Sequence, residues 1–444
     1  MKKLDTTSLM IIIHYLNNYQ TLQQIPFINK KLQDVLFSFK VNPEINQHVE
    51  EKQLKYFPNI QTLSCSMEDY IKFEHPQNYD LYRLRIESLS FNLLEPFLKK
   101  LNTLKIGKYN GRSPQLPKTL DLFECQFLKS FELNANDQVE TIICPKNLTR
   151  LKIAECRNLN ELKGTQRIEM LRLYDCKSIS SIPSCELTRL EVMRCPMIQQ
   201  LELKSFHQIE HVLVSGCSSL QSLHLPNSVT TLELDDCQSL TTLQLSNQLK
   251  RIQFYYCSSL KSLILPTTIT SLQLTHFDQL ETLENISNCN MLEVIKFNNC
   301  QKISEFVFPS SLTSFSLKKS LNTIDHLKLN HCERLQSVEC VDCGKIQSIE
   351  MTNGIQTIFI ENAQFLSSLS LPSSLTKVNL LNCPSLEVVK TNAECELILQ
   401  HCQCIVDLEV PNIQKCLCYN CPMLSIEELQ NNSMPIIELK KLLL

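Results

Sequence analysis

Two neighbouring stretches of the chain decide its fold. Residues 229–245 read VTTLELDDCQSLTTLQL, and residues 249–266 read LKRIQFYYCSSLKSLILP. Both fit the pattern L-x-x-L-x-L-x-x-C-x-x-L-x-x-L-x-L, in which L stands for any aliphatic or aromatic residue. The cysteine of this pattern provides a register mark for each repeat. A unit of about 20 residues that recurs in this way is typical of a solenoid of stacked coils.

The same register mark recurs through most of the chain, at spacings of 19 to 23 residues. Eleven of the fourteen marks from residue 156 onward are cysteine: Cys156, Cys176, Cys195, Cys217, Cys237, Cys257, Phe277, Cys300, Ser320, Cys343, Ala363, Cys383, Cys402 and Cys421. Weaker repeats precede them, with Cys125 as the first cysteine mark. The 31 residues from Cys125 to Cys156 contain about half a coil too much, and Val139-x-x-Ile142-x-Cys144 is the candidate for the extra piece. We expect roughly eighteen coils in all.

Each repeat carries two L-x-L pairs, and this alternation predicts two short strands with one buried face. Twenty residues leave no room for a helix between the strands, so successive coils stack into a parallel sheet. Proline often follows the second pair and ends that strand, because it has no N–H for the ladder; the positions are Pro226, Pro266, Pro309, Pro372 and Pro411. We therefore predict a repeat solenoid over residues 51–424.

The two ends of the chain lack the repeat. Residues 1–50 carry helical spacing, with Ile28, Leu32, Val35, Leu36 and Phe39 on one face. Residues 425–444 also have a helical pattern. We interpret the first segment as an α-helical N-terminal cap and the second as a short helical C-terminal cap, each covering an open apolar end of the stack.

Composition argues against several classes of function. The chain has six glycines in 444 residues and no glycine-rich phosphate loop, so we expect no nucleotide cofactor. A net charge of -3 without long charged runs argues against nucleic acid, and no apolar stretch is long enough for membrane insertion. The ten histidines form no catalytic motif, so we expect no catalytic residues and no enzyme. Without a targeting signal, we expect a cytoplasmic protein, with the nucleus as an alternative.

The 22 cysteines allow three interpretations. Cys340 with Cys343, and Cys416 with Cys418 and Cys421, resemble short zinc motifs, yet a structural zinc ion needs four ligands around one tetrahedron. Stacked marks about 5 Å apart lie within the range of a disulfide, but their side chains point the same way. We therefore expect free, mostly buried thiols, no disulfides and no metal, with the zinc interpretation kept as an alternative.

The exposed positions of the first strand, which lie six, four and two residues before each mark, differ from those of the second strand. They mix arginine, tyrosine and methionine, which are enriched where proteins dock, whereas the second strand presents mainly serine and threonine. A solvated surface without a role is the alternative. We predict that a protein partner of unknown identity binds the first-strand face, most strongly over residues 150–195, and the candidate residues are Arg150, Lys152, Met170, Arg172, Tyr174, Arg189, Glu191, Met193, Arg251 and Tyr255.

The repeat resembles the leucine-rich repeat, in the form in which cysteine replaces the usual asparagine at the turn. The junctions at residues 265–270 and 371–376, LPTTIT and LPSSLT, are similar to the short repeats of BspA-like proteins. The glycine and the Ala-Phe pair usual in that family are absent. The resemblance covers residues ~55–425. It implies a leucine-rich-repeat-like stack and, for function, protein binding alone.

The N-terminal segment resembles an F-box. The residues that carry the resemblance are Leu4, Leu22, residues 12–16 and the run INKKLQDVL at residues 28–36, in which Leu32 replaces the family's tryptophan. Leu4-Asp5 likewise replaces the usual opening Leu-Pro. The resemblance implies that residues 1–45 dock a ubiquitin-ligase adaptor while the repeats hold a substrate. A generic helical cap is the alternative.

Overall fold

The computed structural model describes residues 30–37, 39, 62–70, 72–73, 80–86, 98, 101–107, 114–303, 307–320 and 324–424. They fall into two compact units, Met1–Ile198 and Gln199–Leu444. Each unit is a parallel β-solenoid with a coil of about 20 residues, which confirms the fold class predicted from the repeat. The segment predicted as a C-terminal cap and most of the predicted N-terminal cap lie outside the described residues.

The described residues of the first unit include two short helices and two kinds of strand. The helices are α1 (Lys30–Phe37) and α2 (Met67–Tyr70), and α1 falls within the helical run predicted around Val35, which is buried. The strands are β1 (Thr62–Ser66), β2 (Asp80–Ile86), β3 (Thr103–Ile106), β4 (Thr119–Asp121), β5 (Ser130–Asn134), β6 (Thr141–Ile143), β7 (Arg150–Ala154), β8 (Glu161–Lys163), β9 (Met170–Tyr174) and β10 (Arg189–Met193).

Strands β1, β2, β3, β5, β7, β9 and β10 pair in parallel in that order. The shorter strands β4, β6 and β8 form a second parallel sheet. The second strand expected around Ser181 is not formed. Pro183, which has no N–H to donate to a ladder, lies two residues further on.

The second unit repeats the same two-strand coil. Its strands are β11 (Gln200–Glu202), β12 (His211–Ser215), β13 (Ser222–His224), β14 (Thr231–Asp235), β15 (Thr242–Gln244), β16 (Arg251–Tyr255), β17 (Ser262–Ile264), β18 (Ser271–Thr275), β19 (Thr282–Glu284), β20 (Val294–Asn298), β21 (Ser314–Lys318), β22 (His326–Lys328), β23 (Ser337–Val341), β24 (Ser348–Glu350), β25 (Thr357–Glu361), β26 (Ser368–Ser370), β27 (Lys377–Leu381), β28 (Val388–Lys390), β29 (Glu396–Gln400), β30 (Asp407–Glu409) and β31 (Lys415–Tyr419). A 3-10 turn covers Ile286–Asn288.

The five-residue strands of this unit form one parallel ladder from β12 to β31, and each residue faces its equivalent in the next coil. Side chains alternate inward and outward along each strand, so the two L-x-L residues are buried, as Leu232 and Leu234 are in β14. Burial of such a leucine stabilises the fold by about 1.5–3 kcal/mol relative to exposure. A one-residue slip would expose the whole set, which fixes the register of the ladder.

A residue with a left-handed backbone stands directly before each mark. Fifteen coils share this corner, four in the first unit and eleven in the second; the corner residues are Ala135, Glu155, Asp175, Arg194, Gly216, Asp236, Tyr256, His276, Asn299, Lys319, Asp342, Asn362, Asn382, His401 and Asn420. Asparagine, aspartate and histidine tolerate this conformation better than other non-glycine residues. Only one of the fifteen corners, at Gly216, uses glycine. Because the other corners do without it, the repeat needs little glycine, which accounts for its scarcity in the sequence.

The cysteine at the mark bonds to the corner backbone. The thiol of Cys237 lies 3.6 Å from the carbonyl oxygen of Asp235 and 3.8 Å from that of Val214 in the preceding coil. Cys156, Cys300 and Cys402 each make the same pair of contacts. Cysteine is a small apolar residue with a weak donor, so it fills the buried corner and still satisfies its own S–H.

The extra half-coil expected between Cys125 and Cys156 is absent, and the register there is regular. The mark of that coil is Asn136, 20 residues before Cys156, because the left-handed corner residue is Ala135. The side-chain oxygen of Asn136 accepts hydrogen bonds from the N–H groups of Gln138 and Val139. Cys125 instead lies at the turn after the second strand, where its N–H bonds to the carbonyl of Leu122.

Within the described residues, fifteen coils thus carry the regular corner, and β1, β2 and β3 precede them. The first strands therefore number eighteen, in agreement with the roughly eighteen coils expected. Within the described part of the chain, no helix is long and apolar enough to cross a membrane.

Candidate functional site

The candidate residues of the first unit lie on three adjacent strands, β7, β9 and β10, which we call the β7–β10 face. In-register pairing aligns them in three columns across the sheet. The first column is Arg150, Met170 and Arg189; the second is Lys152, Arg172 and Glu191; the third is Ala154, Tyr174 and Met193. Adjacent strands are about 4.8 Å apart, so the structure brings eight of the ten predicted site residues into one patch.

Glu191 was expected at an exposed, outward position of its strand, and the expected exposure was wrong. Its side chain is buried, with a residue exposure of 7%, because two arginines enclose it. The Nε of Arg189 donates to Oε1 of Glu191 at 2.6 Å. The Nε of Arg172 lies 2.9 Å from Oε2, close enough for charge attraction but not aligned for a hydrogen bond. Glu191 therefore holds the two guanidinium groups in place at the surface.

Tyr174 borders the patch together with a residue that the sequence pattern did not point to. The guanidinium of Arg194 lies 5.5 Å from the centre of the Tyr174 ring and donates a hydrogen bond of 3.0 Å to its hydroxyl. Arg194 is the left-handed corner residue directly before the Cys195 mark. The spacing to the mark gives the position of Arg194 in its coil, but the alternation of apolar residues does not indicate that its side chain contacts Tyr174.

Lys152 is tied to the neighbouring strand β5. Its Nζ lies 2.7 Å from Oε1 of Glu132, and the Nζ of Lys105 lies 3.7 Å from Oε2. Burial acts to raise the pKa of Glu132, but the hydrogen bonds from Lys152 and Asn134 and the charges of the two lysines outweigh it. The pKa of Glu132 is therefore below its usual value. Arg150 is exposed and makes no ion pair within the described residues.

A groove runs along the edge of this face where β7 and β9 begin. Its volume is about 640 Å³, and Thr149 and Glu169, which directly precede the two strands, lie in its wall. Arg167, Lys129 and Phe127 add charge and an exposed aromatic ring to the lining. The patch thus adjoins a concave surface of mixed polarity.

Arg251 and Tyr255 belong to the second unit, where both lie on β16. Arg251 is exposed and Tyr255 is half-buried. The corner next to them carries a ring stack, in which Tyr256 and His276 are nearly parallel at 4.4 Å between ring centres. Nothing in the second unit repeats the enclosed carboxylate of the β7–β10 face within the described residues.

The structure has the 22 cysteines as free thiols, and 17 of them are buried. Cys340 and Cys343 are buried at a strand position and at a mark. Among the described residues, no group of three or more histidine, cysteine, aspartate or glutamate side chains is placed to hold a metal ion. The exceptions to burial are Cys185, Cys404, Cys416, Cys418 and Cys421.

Comparison with known proteins gives the repeat class. Six copies of the BspA type leucine rich repeat region match residues 128–233, 192–296 and 237–348. The chain is also 27% identical over 183 residues to a putative late blight resistance protein homolog, R1B-13, from Solanum demissum. The aligned region covers 37% of this chain and 16% of that protein. The match thus spans about a sixth of the length of that relative.

Solved structures show weaker likeness. A leucine-rich repeat protein from Bacteroides ovatus is 15% identical, with a TM-score of 0.27 over 81% of this chain and 88% of its own. YopM from Yersinia enterocolitica is 14% identical, with a TM-score of 0.34 over 94% of this chain and 96% of its own. The repeat match and the coil geometry agree: six copies of the BspA type leucine rich repeat are found within residues 128–348 of this chain.

Proposed function

We propose that the chain is a non-catalytic interaction scaffold whose β7–β10 face binds an acidic segment of a protein partner. Solenoids of leucine-rich repeats generally present extended surfaces to other proteins. The single observation that carries the proposal is the charge of this face, where the cations Arg150, Lys152, Arg172 and Arg189 outnumber the two carboxylates that pair with them, Glu191 and the neighbouring Glu132.

The arrangement of the arginines supports a binding role. Arg172 and Arg189 share the buried Glu191 but keep side-chain exposures of 39% and 44%, so their outer N–H groups face solvent. Guanidinium groups bind carboxylates through paired hydrogen bonds. Because Glu191 already orders both side chains, a partner pays less conformational entropy when it binds them.

The margins of the face add contact area of the kind found at interfaces. Met170, Tyr174 and Met193 are half-buried, and their exposed parts flank the charged centre. Methionine adapts its shape to a partner, while tyrosine offers a large rigid surface with a polar end. The adjoining groove supplies a concave place for a partner side chain.

Capture experiments with matched variants test the proposal. The triple variant Arg172→Ala, Tyr174→Ala, Arg189→Ala is compared with a control, Glu161→Ala and Lys163→Ala, on the exposed second strand β8 of the same unit. We expect partners to be retained by the wild type and the control and lost by the triple variant, with unchanged melting temperatures. Capture should also weaken as salt is raised from 0.05 to about 0.3 M, because the face is cationic. Equal capture by all three proteins would refute the site.

A second candidate function is that of an F-box-type substrate receptor of a ubiquitin ligase. The observation that favours it is α1, a helix at Lys30–Phe37 that overlaps the F-box-like run at residues 28–36. A pull-down that compares the full chain with a variant lacking residues 1–50 separates the possibilities. Loss of a ligase adaptor from an otherwise folded protein supports the receptor, whereas loss of folding supports a cap.

We also propose that the chain works in a reducing compartment, the cytosol or the nucleus. The observation that supports this is the set of 22 free thiols, since oxidising compartments favour disulfides. Targeting of a tagged full-length protein to the cytosol or to the secretory pathway tests this directly.

A further inference from the structure

Apolar side chains gather on the outward side of the last four strands of the second unit's ladder, β25, β27, β29 and β31. In-register pairing sets the middle outward residues of these strands in one column across the sheet. The column and two outward apolar neighbours on β27 and β31 form a surface that we call the β25–β31 strip: Phe359, Asn379, Ile398, Leu417, Leu381 and Tyr419.

The same column is polar in the six strands that precede the strip. From β14 to β23 its residues are Glu233, Gln253, Gln273, Lys296, Ser316 and Glu339. A sheet face that meets water carries polar residues of this kind. In the strip, by contrast, Phe359, Ile398 and Leu417 are half-buried, so each keeps part of its apolar surface in solvent. A contiguous apolar surface marks an interaction site.

The strip also contains a polar atom without a hydrogen-bond partner. The Oδ1 of Asn379 is shielded from solvent, and no donor among the described residues pairs with it. Its neighbours in the column, Phe359 and Ile398, have no side-chain donor. Shielded acceptors are normally paired, because an unpaired one loses its bond to water without a replacement. Asn379 is itself half-buried, so its amide reaches the surface of the strip, where a docked donor can pair with it.

The dimensions and chemistry of the strip favour a helix as its occupant. Three strand spacings of about 4.8 Å make the strip about 14 Å long, which is the length of a helix of about ten residues. A helix pairs its own backbone groups. An extended peptide would instead place its N–H and C=O groups over apolar side chains, where the single amide of Asn379 cannot pair them all. Helices with one apolar side cover sheet faces in this way in folded domains.

The margin of the strip indicates the charge of that helix. Lys377 is exposed on β27 and Lys415 is half-buried on β31, each at the first outward position of its strand. Neither lysine forms an ion pair within the described residues. Glu396 stands between them in the column, so the margin has a net charge of one positive unit. Carboxylates along one flank of a docked helix would complement it.

We propose that the β25–β31 strip docks an amphipathic helix of a protein partner. The helix lays its apolar side on Phe359, Ile398 and Leu417 and turns an acidic flank toward Lys377 and Lys415. The charged β7–β10 face and this apolar strip fit segments of different chemistry. The docking therefore does not depend on the function proposed above.

Selection from a peptide library tests the proposal on the full-length chain. The probe is a phage library of helical peptides of about 15 residues, randomised around the helix. We expect the enriched clones to share an apolar stripe of helical period with acidic residues beside it. Fluorescence anisotropy should show their affinity falling by about tenfold or more in the double variant Phe359→Thr, Ile398→Thr. Leu213→Thr, at the same outward position of β12, should leave the affinity unchanged.

A charge swap keeps the test independent of the folding of that double variant. Lys377→Glu with Lys415→Glu changes the margin alone and should weaken binding of the acidic clones. Clones in which lysine replaces those acidic residues should bind this variant again. Failure to enrich any binder, enriched clones without a helical apolar period, or equal binding to the wild type and to Phe359→Thr, Ile398→Thr would each overturn the proposal.

Two further outcomes would assign the strip to another occupant and overturn docking of a partner. Binding of the clones only after Ile436→Asp with Leu439→Asp would assign the strip to the chain's own residues 425–444. A wild-type dimer that dissociates in the double variant Phe359→Thr, Ile398→Thr would assign it to a second copy. Sedimentation of the wild type and the double variant distinguishes this case.

Discussion

The Nε of Arg189 donates a hydrogen bond of 2.6 Å to Oε1 of Glu191, two residues further along the same strand. Residues at these positions share one side of the sheet, and the carboxylate between Arg189 and Arg172 is buried while both arginines remain partly exposed. The shared carboxylate offsets the repulsion between these two like charges on adjacent strands.

Replacement of Glu191 tests that role. In Glu191→Gln the two guanidinium groups lose their shared counter-charge, so we expect the free energy of unfolding to fall by about 1–2 kcal/mol, between the values for exposed and for buried ion pairs. Thermal unfolding followed by circular dichroism measures the loss. Glu233→Gln is the matched control, because Glu233 occupies the same position on β14 but is exposed. Equal midpoints for the two variants would contradict the structural role of Glu191.

The Glu132 carboxylate should make stability depend on pH. Its pKa in the folded protein lies below the ordinary 4.5, so its stabilising contribution is present above about pH 4.5 and is lost as the pH falls through the lowered folded value. We expect Glu132→Gln to cost about 0.5–1 kcal/mol at pH 7 and progressively less toward pH 3.

Urea unfolding of the wild type and of Glu132→Gln at several pH values between 7 and 3 measures the difference in their free energies of unfolding. Glu124→Gln, at an exposed residue without an ion pair in the described structure, controls for the loss of a charge. A difference that grows on acidification would show that the sign of the effect is wrong.

The left-handed corners predict a gain in stability from glycine. Glu155 has a φ of 54°, a conformation that costs a non-glycine residue about 1–2 kcal/mol. We expect Glu155→Gly to stabilise the protein by roughly 0.5–1 kcal/mol after the entropic cost of glycine is included. Glu169→Gly, at an exposed residue without positive φ, should instead destabilise by roughly 0.5–1 kcal/mol. Denaturant unfolding of both variants measures these changes in the free energy of unfolding. A loss of stability in Glu155→Gly would contradict the prediction.

Thiol titration should separate the folded from the unfolded protein. We expect close to 22 reactive thiols in guanidinium chloride and at most five that react quickly in the folded chain, because 17 are buried. Ellman's reagent, added with and without denaturant, measures both numbers. If almost no thiols react in guanidinium chloride, the cysteines are joined in disulfides, and this result would contradict the proposed reducing compartment.

The repeat made the fold predictable because each inward position recurs at a fixed distance from its mark, so that hydrophobic burial alone specifies strand, face and register. The coil at Asn136 was missed since asparagine and cysteine fill the same corner by different bonds. The coil around Ser181 lacks its second strand. Such exceptions depend on local hydrogen bonds of the backbone, and these bonds cannot be predicted from the pattern of apolar residues.

The candidate site was predictable in part for a similar reason. Outward positions follow from strand alternation, so the eight residues on β7, β9 and β10 could be placed on one face. The burial of Glu191 could not be predicted, because it arises from Arg172, which is 19 residues away in sequence and adjacent only after pairing. Arg194 was overlooked because the corner before the mark follows backbone geometry, not hydrophobic alternation.

The central claim is that the β7–β10 face, and not the second-strand side of the same coils, contacts the partner. Site-specific photo-cross-linking tests it most directly: a benzoylphenylalanine replaces Arg150 on β7 in one protein and Glu161 on β8 in another. Both residues are exposed, so reagent access is matched. We predict a cross-linked partner from position 150 and none from position 161; equal cross-linking at both positions, or a product from position 161 alone, would contradict the claim.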